Sequence, residues 1–283
     1  MDMMLNRHRR TFLKAGAAAA ALAAAPSLFG QARADKRMFE EFRPKVKIGE
    51  LKPLSVIDYT PYEFYRMAPP GVLLVMIPLG LERFSSQDVE RVFAPVDRLV
   101  DQLMERDVDI IVQSGTPLAL LLGVEGHDKL LDRIAKRAKV PVTSTALGVV
   151  AAAKHLGLRR IALANKWSNA MNKTLGEFFG RGGVEIAGVA SEVLSPEQFQ
   201  KTSTADSMLL AYELGRAALS KFPDAEGIYL GGGAWLSEPA CKELEREFRK
   251  PAISNQNAML WDTLTRLNQW KPLPGQGLLL ESS

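Results

Sequence analysis

The sequence has few residues that bind metals or form covalent cross-links. Among its 283 residues there are one cysteine and three histidines. A single cysteine excludes a disulfide framework and a zinc site built from thiolates. His127 and His155 belong to no H-x-x-x-H or H-E-x-x-H pattern, so no metal site is predicted.

Glycine motifs typical of nucleotide binding are also missing. Gly231-Gly232-Gly233 does not form a G-x-G-x-x-G pattern, and Ser114-Gly115-Thr116 is not part of a P-loop. The G-x-S-x-G pattern of serine hydrolases does not occur. We therefore predict no cofactor and no nucleophilic serine.

Only residues 1–34 carry an excess of positive charge. The net charge is +4, and residues 1–34 alone account for it, with five basic residues against one acid. The rest of the chain is neutral, so the charge gives no reason to expect a nucleic acid partner.

The N-terminal segment has the pattern of an export signal. Paired arginines, Arg9-Arg10, precede an alanine-rich run that is too short to span a bilayer, and Ala32-Arg33-Ala34 is a small-residue cleavage site. The twin arginine indicates the Tat route. We predict a Tat signal peptide over residues 1–34, cleavage after Ala34, and a periplasmic or secreted protein without a stable membrane anchor, whose partner during export is the Tat translocase. The alternative is an amphipathic N-terminal helix of the fold.

Beyond this segment, short apolar runs alternate with amphipathic stretches. The predicted strands are Leu54–Tyr59, Val72–Pro78, Val108–Gln113, Val140–Thr143, Arg160–Ala164, Val184–Ala190, Gly227–Leu230 and Ala252–Ser254. The predicted helices are Ser86–Arg106 with a distortion at Pro95, His127–Lys139, Leu147–His155, Asn169–Phe179, Ser207–Lys221 and Glu238–Phe248. This alternation predicts an α/β fold with mainly parallel sheets.

The chain also repeats itself in outline. Asp109–Thr116 and Glu226–Gly233 are both strands that end in a loop of small residues, and Gly115 and Gly231 lie 116 residues apart. Each half is predicted to begin with a strand and a polar-aromatic loop, Tyr59–Tyr62 in the first half and Asn165–Trp167 in the second. Because ligands of open parallel sheets lie beyond the carboxyl ends of the strands, two such halves predict one cleft between them.

The repeat sets the predicted domain boundaries. We expect two similar Rossmann-like halves, the first over residues 35–145 and joined by 254–283, the second over residues 146–253. The glycine loops are candidates for binding an anion through backbone amides, with Thr116 as a hydroxyl donor. The alternative is a pair of tight turns that need glycine for a positive φ.

Three segments resemble one known family. Asp109–Gly123, Arg160–Leu175 and Gly227–Gly233 resemble the arylmalonate decarboxylase and maleate isomerase branch of the aspartate/glutamate racemase superfamily, and the resemblance covers roughly residues 54–267. It implies two Rossmann-like halves with the active site between them. It also implies cofactor-free chemistry beside a carboxylate, performed by cysteines at the ends of the two central strands.

The sequence departs from this pattern at the cysteines. The positions that match them are Gly115 and Gly231, and decarboxylases of the family also lack the first one. Cys241 lies ten residues after Gly231 in a predicted helix, where we interpret it as a packing residue. The resemblance assigns carboxylate binding to Gly115, Thr116, Gly231 and Gly232, whereas Pro117 and Trp167 replace residues that carry hydroxyls. We include Trp167 among the predicted substrate-binding residues.

Other side chains are candidates to replace the missing thiol. Lys166 and Tyr59 lie in the predicted cleft loops and are the candidate proton donors, although Lys166 could equally pair with a carboxylate or face solvent. Trp235 is predicted either to border an apolar ligand or to pack in the core. Asn255, Gln256 and Asn257 follow the last strand, either as amide donors or as a helix N-cap.

Two functions fit these features. The first is an exported, cofactor-free protein that decarboxylates or isomerises a small carboxylic acid without cysteine. The second is a non-catalytic periplasmic protein that binds or senses a carboxylate. The sequence predicts neither the acid nor the oligomeric state.

Overall fold

The computed structural model describes residue 40 and residues 42–54, 59–233 and 235–283. The chain divides into two units, Met1–Arg43 and Pro44–Ser283, and the second unit contains all of the strands and helices named below. The predicted signal peptide and its cleavage site lie outside the described residues. No helix in the described part of the chain is long and apolar enough to cross a membrane.

Two four-stranded parallel sheets form the framework. The strands are β1 (Val46–Lys52), β2 (Val72–Pro78), β3 (Ile110–Gln113), β4 (Val142–Ser144), β5 (Arg160–Asn165), β6 (Glu185–Ser191), β7 (Gly227–Leu230) and β8 (Ala252–Ser254). Their orders are β2-β1-β3-β4 in the first sheet and β6-β5-β7-β8 in the second. The two orders are the same, which confirms the prediction of two similar α/β halves.

Helices connect the strands of each sheet. They are α1 (Thr60–Met67), α2 (Ser86–Phe93), α3 (Val96–Met104), α4 (Thr116–Ala138), α5 (Thr145–His155), α6 (Asn169–Arg181), α7 (Pro196–Lys201), α8 (Thr204–Lys221), α9 (Glu238–Phe248), α10 (Asn255–Arg266) and α11 (Leu278–Glu281). Pro95 separates α2 from α3, as its lack of an amide hydrogen predicts. The last long helix, α10, packs against α1 and α5. The predicted division at residues 145–146 and 253–254 stays a prediction.

The strand register shifts by one residue the correspondence between the glycine loops of the two halves. Gln113 lies beside Ser144, and Leu230 lies beside Ser254, and both serines cap the helix that follows. Gln113 therefore corresponds to Leu230, and Gly115 corresponds to Gly232 rather than to Gly231. Both of these glycines have a positive φ, 85° and 114°, which L side chains rarely adopt.

Alternate side chains of the strands face two different cores. Ile161 and Leu163 of β5 belong to an inner core that the two halves share, whereas Ala162 and Ala164 face the outer helices α8 and α9. In β7 the inner residue is Tyr229. Because strand side chains alternate, Tyr229 points toward the first half.

The first strand lies elsewhere than predicted. Leu54–Tyr59 is not a strand in its described part; β1 is Val46–Lys52, a segment in which no strand was predicted. Lys166 therefore corresponds by register to Pro53, and the Tyr59–Tyr62 segment is the beginning of α1 instead of the equivalent cleft loop. The apolar alternation of β1 is hidden because Glu50 and Lys52 occupy inner positions of the strand.

Helix α4 begins earlier than predicted. It starts at Thr116 instead of near His127, and it is interrupted at Gly123, whose φ of 69° and ψ of 172° are not helical. The two glycines at 123 and 126 conceal the helical periodicity of its first part. This extension places Thr116 at the start of a helix, directly beyond β3.

Candidate active site

One pocket lies between the two halves, at the carboxyl ends of the strands. Residues of both halves line it: Lys52, Pro53, Leu54, Thr60, Phe84, Ser114, Gly115 and Pro117 from the first, and Lys166, Trp167, Gly232 and Gly233 from the second, together with Asn255 at the beginning of α10. The wall is mostly apolar, with a few polar groups that converge on it, as is common for small-molecule sites. The pocket occupies the position predicted for the cleft.

Lys166 follows β5 and lines this pocket, and it is only 3% exposed. Its Nζ lies 4.1 Å from the centroid of the Trp235 ring, a distance typical of a cation–π contact. Trp235 itself belongs to the outer core of the second half. The solvent-facing alternative for Lys166 is therefore wrong, and Trp235 is a core residue that supports the lysine.

Lys52 brings a second ammonium group to the same pocket. It is the last residue of β1 and is 2% exposed. Its Nζ lies 4.0 Å from Oε1 of Glu50, which is also buried. Residues 50 and 52 face the same side of the strand as Ile48, toward the inner core. Lys52 was not among the predicted site residues because no strand was predicted over residues 46–52.

A buried hydrogen-bond network fixes the loop that carries Lys166 and Trp167. Asn165 Nδ2 donates to Asn172 Oδ1 (2.7 Å), and Trp167 N donates to Asn165 Oδ1 (3.1 Å). Asn172 Nδ2 in turn donates to the carbonyl of Trp167 (3.2 Å). These bonds hold the Trp167 ring against Gly231 at the edge of the pocket.

Only part of the two predicted glycine loops lines the pocket. Gly115 and Gly232 line it, whereas Gly231 does not. The amide of Gly231 donates to the carbonyl of Ala164 (2.7 Å) as a continuation of the sheet. A Cβ atom at Gly231 would lie 2.8 Å from the Trp167 ring. The Trp167 ring therefore fills the space that a side chain at 231 would need.

Thr116 does not line the pocket either. It is buried, and its Oγ1 lies 3.0 Å from the hydroxyl of Tyr229 and 3.3 Å from Nδ2 of Asn255. Asn255 lines the pocket and is the first residue of α10, while Ser254 is the N-cap and Asn257 completes the capping box. The structure thus gives Asn255 a pocket position and gives Asn257 the capping role.

The structure separates the second candidate proton donor from the pocket. Tyr59 lines another cavity, together with Glu63, Met208, Leu236 and Glu238, and its hydroxyl donates to the carbonyl of Thr202 (3.3 Å). Lys166 and Tyr59 are therefore not brought together. Their predicted roles as proton donors stay predictions, with the geometry placing only Lys166 at the pocket between the halves.

Glu63 is a buried acid on α1 in this second cavity. Its Oε1 accepts hydrogen bonds from Ser237 N (2.7 Å), from Ser237 Oγ (3.3 Å) and from the amide of Glu238 at the beginning of α9. Burial raises the pKa of Glu63 to about 7, although these hydrogen bonds favour the ionised form. Glu63 links α1 to α9 through these hydrogen bonds, and its burial disfavours the ionised form of the carboxyl group.

Glu63→Gln is expected to remove a pH dependence of stability. The pKa of Glu63 is about 7 in the folded chain against a usual 4.5, so its favourable contribution is complete below pH 4.5 and is lost as the pH rises to about 7. The loss in unfolding free energy is of order 3 kcal/mol. Urea unfolding of wild type and variant between pH 4.5 and 8 measures it. The exposed Glu105→Gln is the control, and equal pH slopes in wild type and Glu63→Gln contradict the prediction.

The single thiol lies apart from this site. Cys241 is buried on α9 and packs in the outer core of the second half. Burial raises the pKa of the thiol well above its usual value. The packing interpretation is therefore confirmed. Among the described residues, no group of three or more potential metal ligands is brought together.

The structure defines an α/β protein with an aspartate/glutamate racemase-like fold, in which a pocket lies between two similar halves. The crystal structure of the maleate isomerase Iso from Pseudomonas putida S16 has a TM-score of 0.73 at 19% identity, covering 83% of this chain and 98% of that chain. A crystal structure of arylmalonate decarboxylase has a TM-score of 0.70 at 24% identity, covering 84% and 100%.

Sequence comparison defines the family within this class. The sequence model described as arylmalonate decarboxylase matches residues 60–280. The arylmalonate decarboxylase of Bordetella bronchiseptica is 26% identical over 216 residues, which are 76% of this chain and 88% of that protein. The chain belongs to the arylmalonate decarboxylase family, which confirms the resemblance in the sequence.

Proposed function

We propose that the protein binds a small carboxylic acid between its halves and decarboxylates or isomerises it at the carbon next to a carboxylate, without a cofactor and without a cysteine. The observation that carries the proposal is the pair of buried lysines, Lys52 and Lys166, that line one pocket from opposite halves. Ammonium groups in a water-poor site attract carboxylates strongly. Membership of the family supports the reaction type.

The pocket residues suggest how the charge of the reaction is handled. When the bond to a carboxylate breaks, CO2 leaves and the electron pair of that bond stays on the carbon, where it is shared with a neighbouring carbonyl or carboxylate. Lys52 and Lys166 stabilise this developing negative charge. Lys166 then donates an N–H proton to the carbon and recovers a proton from water. In an isomerisation, the neutral amine of Lys166 accepts the C–H proton and returns it to the other face of the same carbon, which inverts the configuration there.

Proton NMR in deuterated buffer tests this function. We expect one member of a panel of malonates, amino acids and unsaturated diacids to lose or exchange its Cα–H signal, or to give a new product. Lys166→Met should weaken binding of that acid roughly 10- to 100-fold, because it removes a charged hydrogen bond. Lys129→Met changes an exposed lysine and is the matched control. Absence of both binding and turnover across the panel overturns the proposal.

A second function follows from the position of the thiol. No described pocket residue carries a thiol, and Cys241 lies in the outer core with a raised pKa. This observation favours a non-catalytic protein that binds or senses a carboxylate. Saturation transfer from the protein to an acid whose signals remain chemically unchanged supports this alternative over the enzyme.

We also propose export through the Tat route, with a mature periplasmic or secreted protein. The support is the sequence of residues 1–34, with Arg9-Arg10, the alanine-rich run and Ala32-Arg33-Ala34. Cell fractionation tests it, because replacing both arginines by lysine should keep the protein in the cytoplasm. Equal export of this variant contradicts the proposal.

A further inference from the structure

A closed ring of three hydrogen bonds joins the two halves at the edge of the pocket. Thr116 begins α4, Tyr229 lies in β7 and Asn255 begins α10, and all three are buried. The Thr116 and Tyr229 hydroxyls are 3.0 Å apart, Tyr229 OH lies 2.5 Å from Asn255 Oδ1, and Asn255 Nδ2 lies 3.3 Å from Thr116 Oγ1. Each residue thus contacts both others.

The amide of Gly232 indicates the direction of the hydrogen bonds in this ring. The amide of Gly232 can only donate, and it lies 3.4 Å from Asn255 Oδ1, which favours the orientation with the carbonyl oxygen of this side chain toward it. Tyr229 OH also donates to Oδ1 and therefore accepts from the Thr116 hydroxyl. Thr116 Oγ1 in turn accepts from Asn255 Nδ2. A flipped Asn255 amide would place its Nδ2 opposite the amide of Gly232, donor against donor, although the two hydroxyls could reverse their roles.

This arrangement leaves one hydrogen of Asn255 Nδ2 for the pocket. Within the described residues, the first hydrogen goes to Thr116, and Asn255 lines the pocket beside Gly232 and Gly233. A Cβ atom at Gly233 would lie 4.0 Å from Nδ2, so the amide nitrogen faces the glycine loop. By contrast, the Thr116 hydroxyl donates to Tyr229, and the amide of Gly231 donates to Ala164.

We propose that Asn255 Nδ2 donates a hydrogen bond to the carboxylate of the ligand, and that Tyr229 is the positioning residue that fixes the Asn255 amide for this purpose. The proposal rests on the proposed function in one respect, namely that the ligand is a carboxylate. The uncharged hydrogen-bond donor to the carboxylate is then Asn255 on α10, instead of Thr116 and Gly231, to which the sequence resemblance assigned carboxylate binding. The ring also makes the donor depend on both halves, because Thr116 comes from the first and Tyr229 from the second.

Two variants test the proposal through probe binding, and Tyr229→Phe is also tested by a measurement without ligand. Tyr229→Phe removes only the hydroxyl, and Asn255→Asp keeps the shape of the side chain while replacing the donor by an acceptor. The probes are malonate and maleate, whose dissociation constants are measured by NMR titration. The second measurement is the pair of side-chain amide cross-peaks of Asn255 in a nitrogen–proton spectrum, which needs no ligand. Tyr212→Phe, whose hydroxyl bonds Glu247 at the surface, is the control.

We expect Tyr229→Phe to weaken probe binding about 5- to 10-fold and to make the two Asn255 amide protons exchange faster with solvent, because the side chain loses its orientation. Asn255→Asp should weaken binding more than about 10-fold, since a carboxylate then faces a carboxylate. Tyr212→Phe should change neither measurement. A purely structural role of Tyr229 would lower stability without affecting the Asn255 amide in the folded protein.

Three results overturn the proposal, and they are distinguishable. Unchanged Asn255 amide signals in Tyr229→Phe overturn the positioning role. Probe binding that survives Asn255→Asp overturns the donor role while leaving the proposed function in place. Failure of the wild-type protein to bind any carboxylate, with Asn255 amide signals that still depend on Tyr229, overturns the proposed function and the donor role together.

Discussion

Gly231→Cys is expected to destabilise the protein by about 1–3 kcal/mol, because the new side chain overpacks a rigid site. The substitution introduces the residue type that the family resemblance implies at this position. However, a Cβ atom at 231 would lie 2.8 Å from the Trp167 ring and 3.1 Å from Asn165 Cβ. Trp167 is 1% exposed, and its loop is held by the Asn165–Asn172 hydrogen bonds, so the ring has little freedom to move away. Urea unfolding measures the loss.

A double-mutant cycle isolates the cause of this loss. Trp167→Ala alone should cost about 3–5 kcal/mol, but it removes the ring that blocks position 231. We therefore expect the double variant to be at least about 1 kcal/mol more stable than the sum of the two single effects predicts. Gly180→Cys is the matched control, because a Cβ at this α6 glycine meets nothing within 4 Å. Additive effects of the two substitutions would contradict the explanation.

The same cycle tests whether thiol chemistry is possible at position 231. With Trp167 in place, a thiol side chain at position 231 has no space beside the pocket, so Gly231→Cys alone is expected to gain no turnover. The double variant has space for a thiol next to Gly232 and Lys166. The expected result is proton exchange at the carbon next to a carboxylate that exceeds the wild-type rate only in the double variant. Activity of the single variant would show that the Trp167 ring moves aside.

Lys52→Met is expected to destabilise the protein by about 3–5 kcal/mol, because it leaves the buried carboxylate of Glu50 without its lysine. Lys52 and Glu50 are both buried, and their charged atoms lie 4.0 Å apart on the inner face of β1. The combination of Lys52→Met with Glu50→Gln removes both charges and should recover most of the loss. Urea unfolding at one pH, repeated for each variant, gives the comparison.

A lysine on the same strand provides the control for this prediction. Lys47 has a side chain that is 30% exposed and is paired with the exposed Asp107 at 3.8 Å. Lys47→Met should change the unfolding free energy by no more than about 1 kcal/mol, because exposed ion pairs contribute little. A similar effect of Lys47→Met and Lys52→Met, or no recovery in the Glu50→Gln combination, would show that the charge of Glu50 is not the cause.

Much of the framework was predictable from the sequence. Val72–Pro78, Gly227–Leu230, Ala252–Ser254 and Glu238–Phe248 have the predicted bounds in the structure. These elements have apolar runs or helical periodicity that tertiary contacts do not disturb. The first strand was misplaced because Glu50 and Lys52, at inner positions of β1, remove its apolar pattern. Part of α4 was missed because Gly123 interrupts the helix.

The candidate site was predictable only in outline. Gly115, Gly232, Trp167 and Lys166 lie around one pocket as expected, since the carboxyl ends of parallel strands meet at one edge. Tyr59 instead lines another cavity, because the segment after it is a helix. The role of Thr116 could not be read from the sequence either, because Tyr229 and Asn255, the partners of its hydroxyl, are more than 100 residues away along the chain.

The sequence by itself determined the alternation of strands and helices and the two similar halves, because these depend on local periodicity and on loops of small residues. Only the tertiary structure decided which polar groups face the ligand pocket. Lys52 lines the pocket because the fold buries the end of β1 between the two halves. The Thr116–Tyr229–Asn255 ring forms only when three segments that are distant in the sequence meet. Whether a hydroxyl group donates or accepts a hydrogen bond depends on the group that it faces, and the fold brings the two groups together from distant parts of the chain.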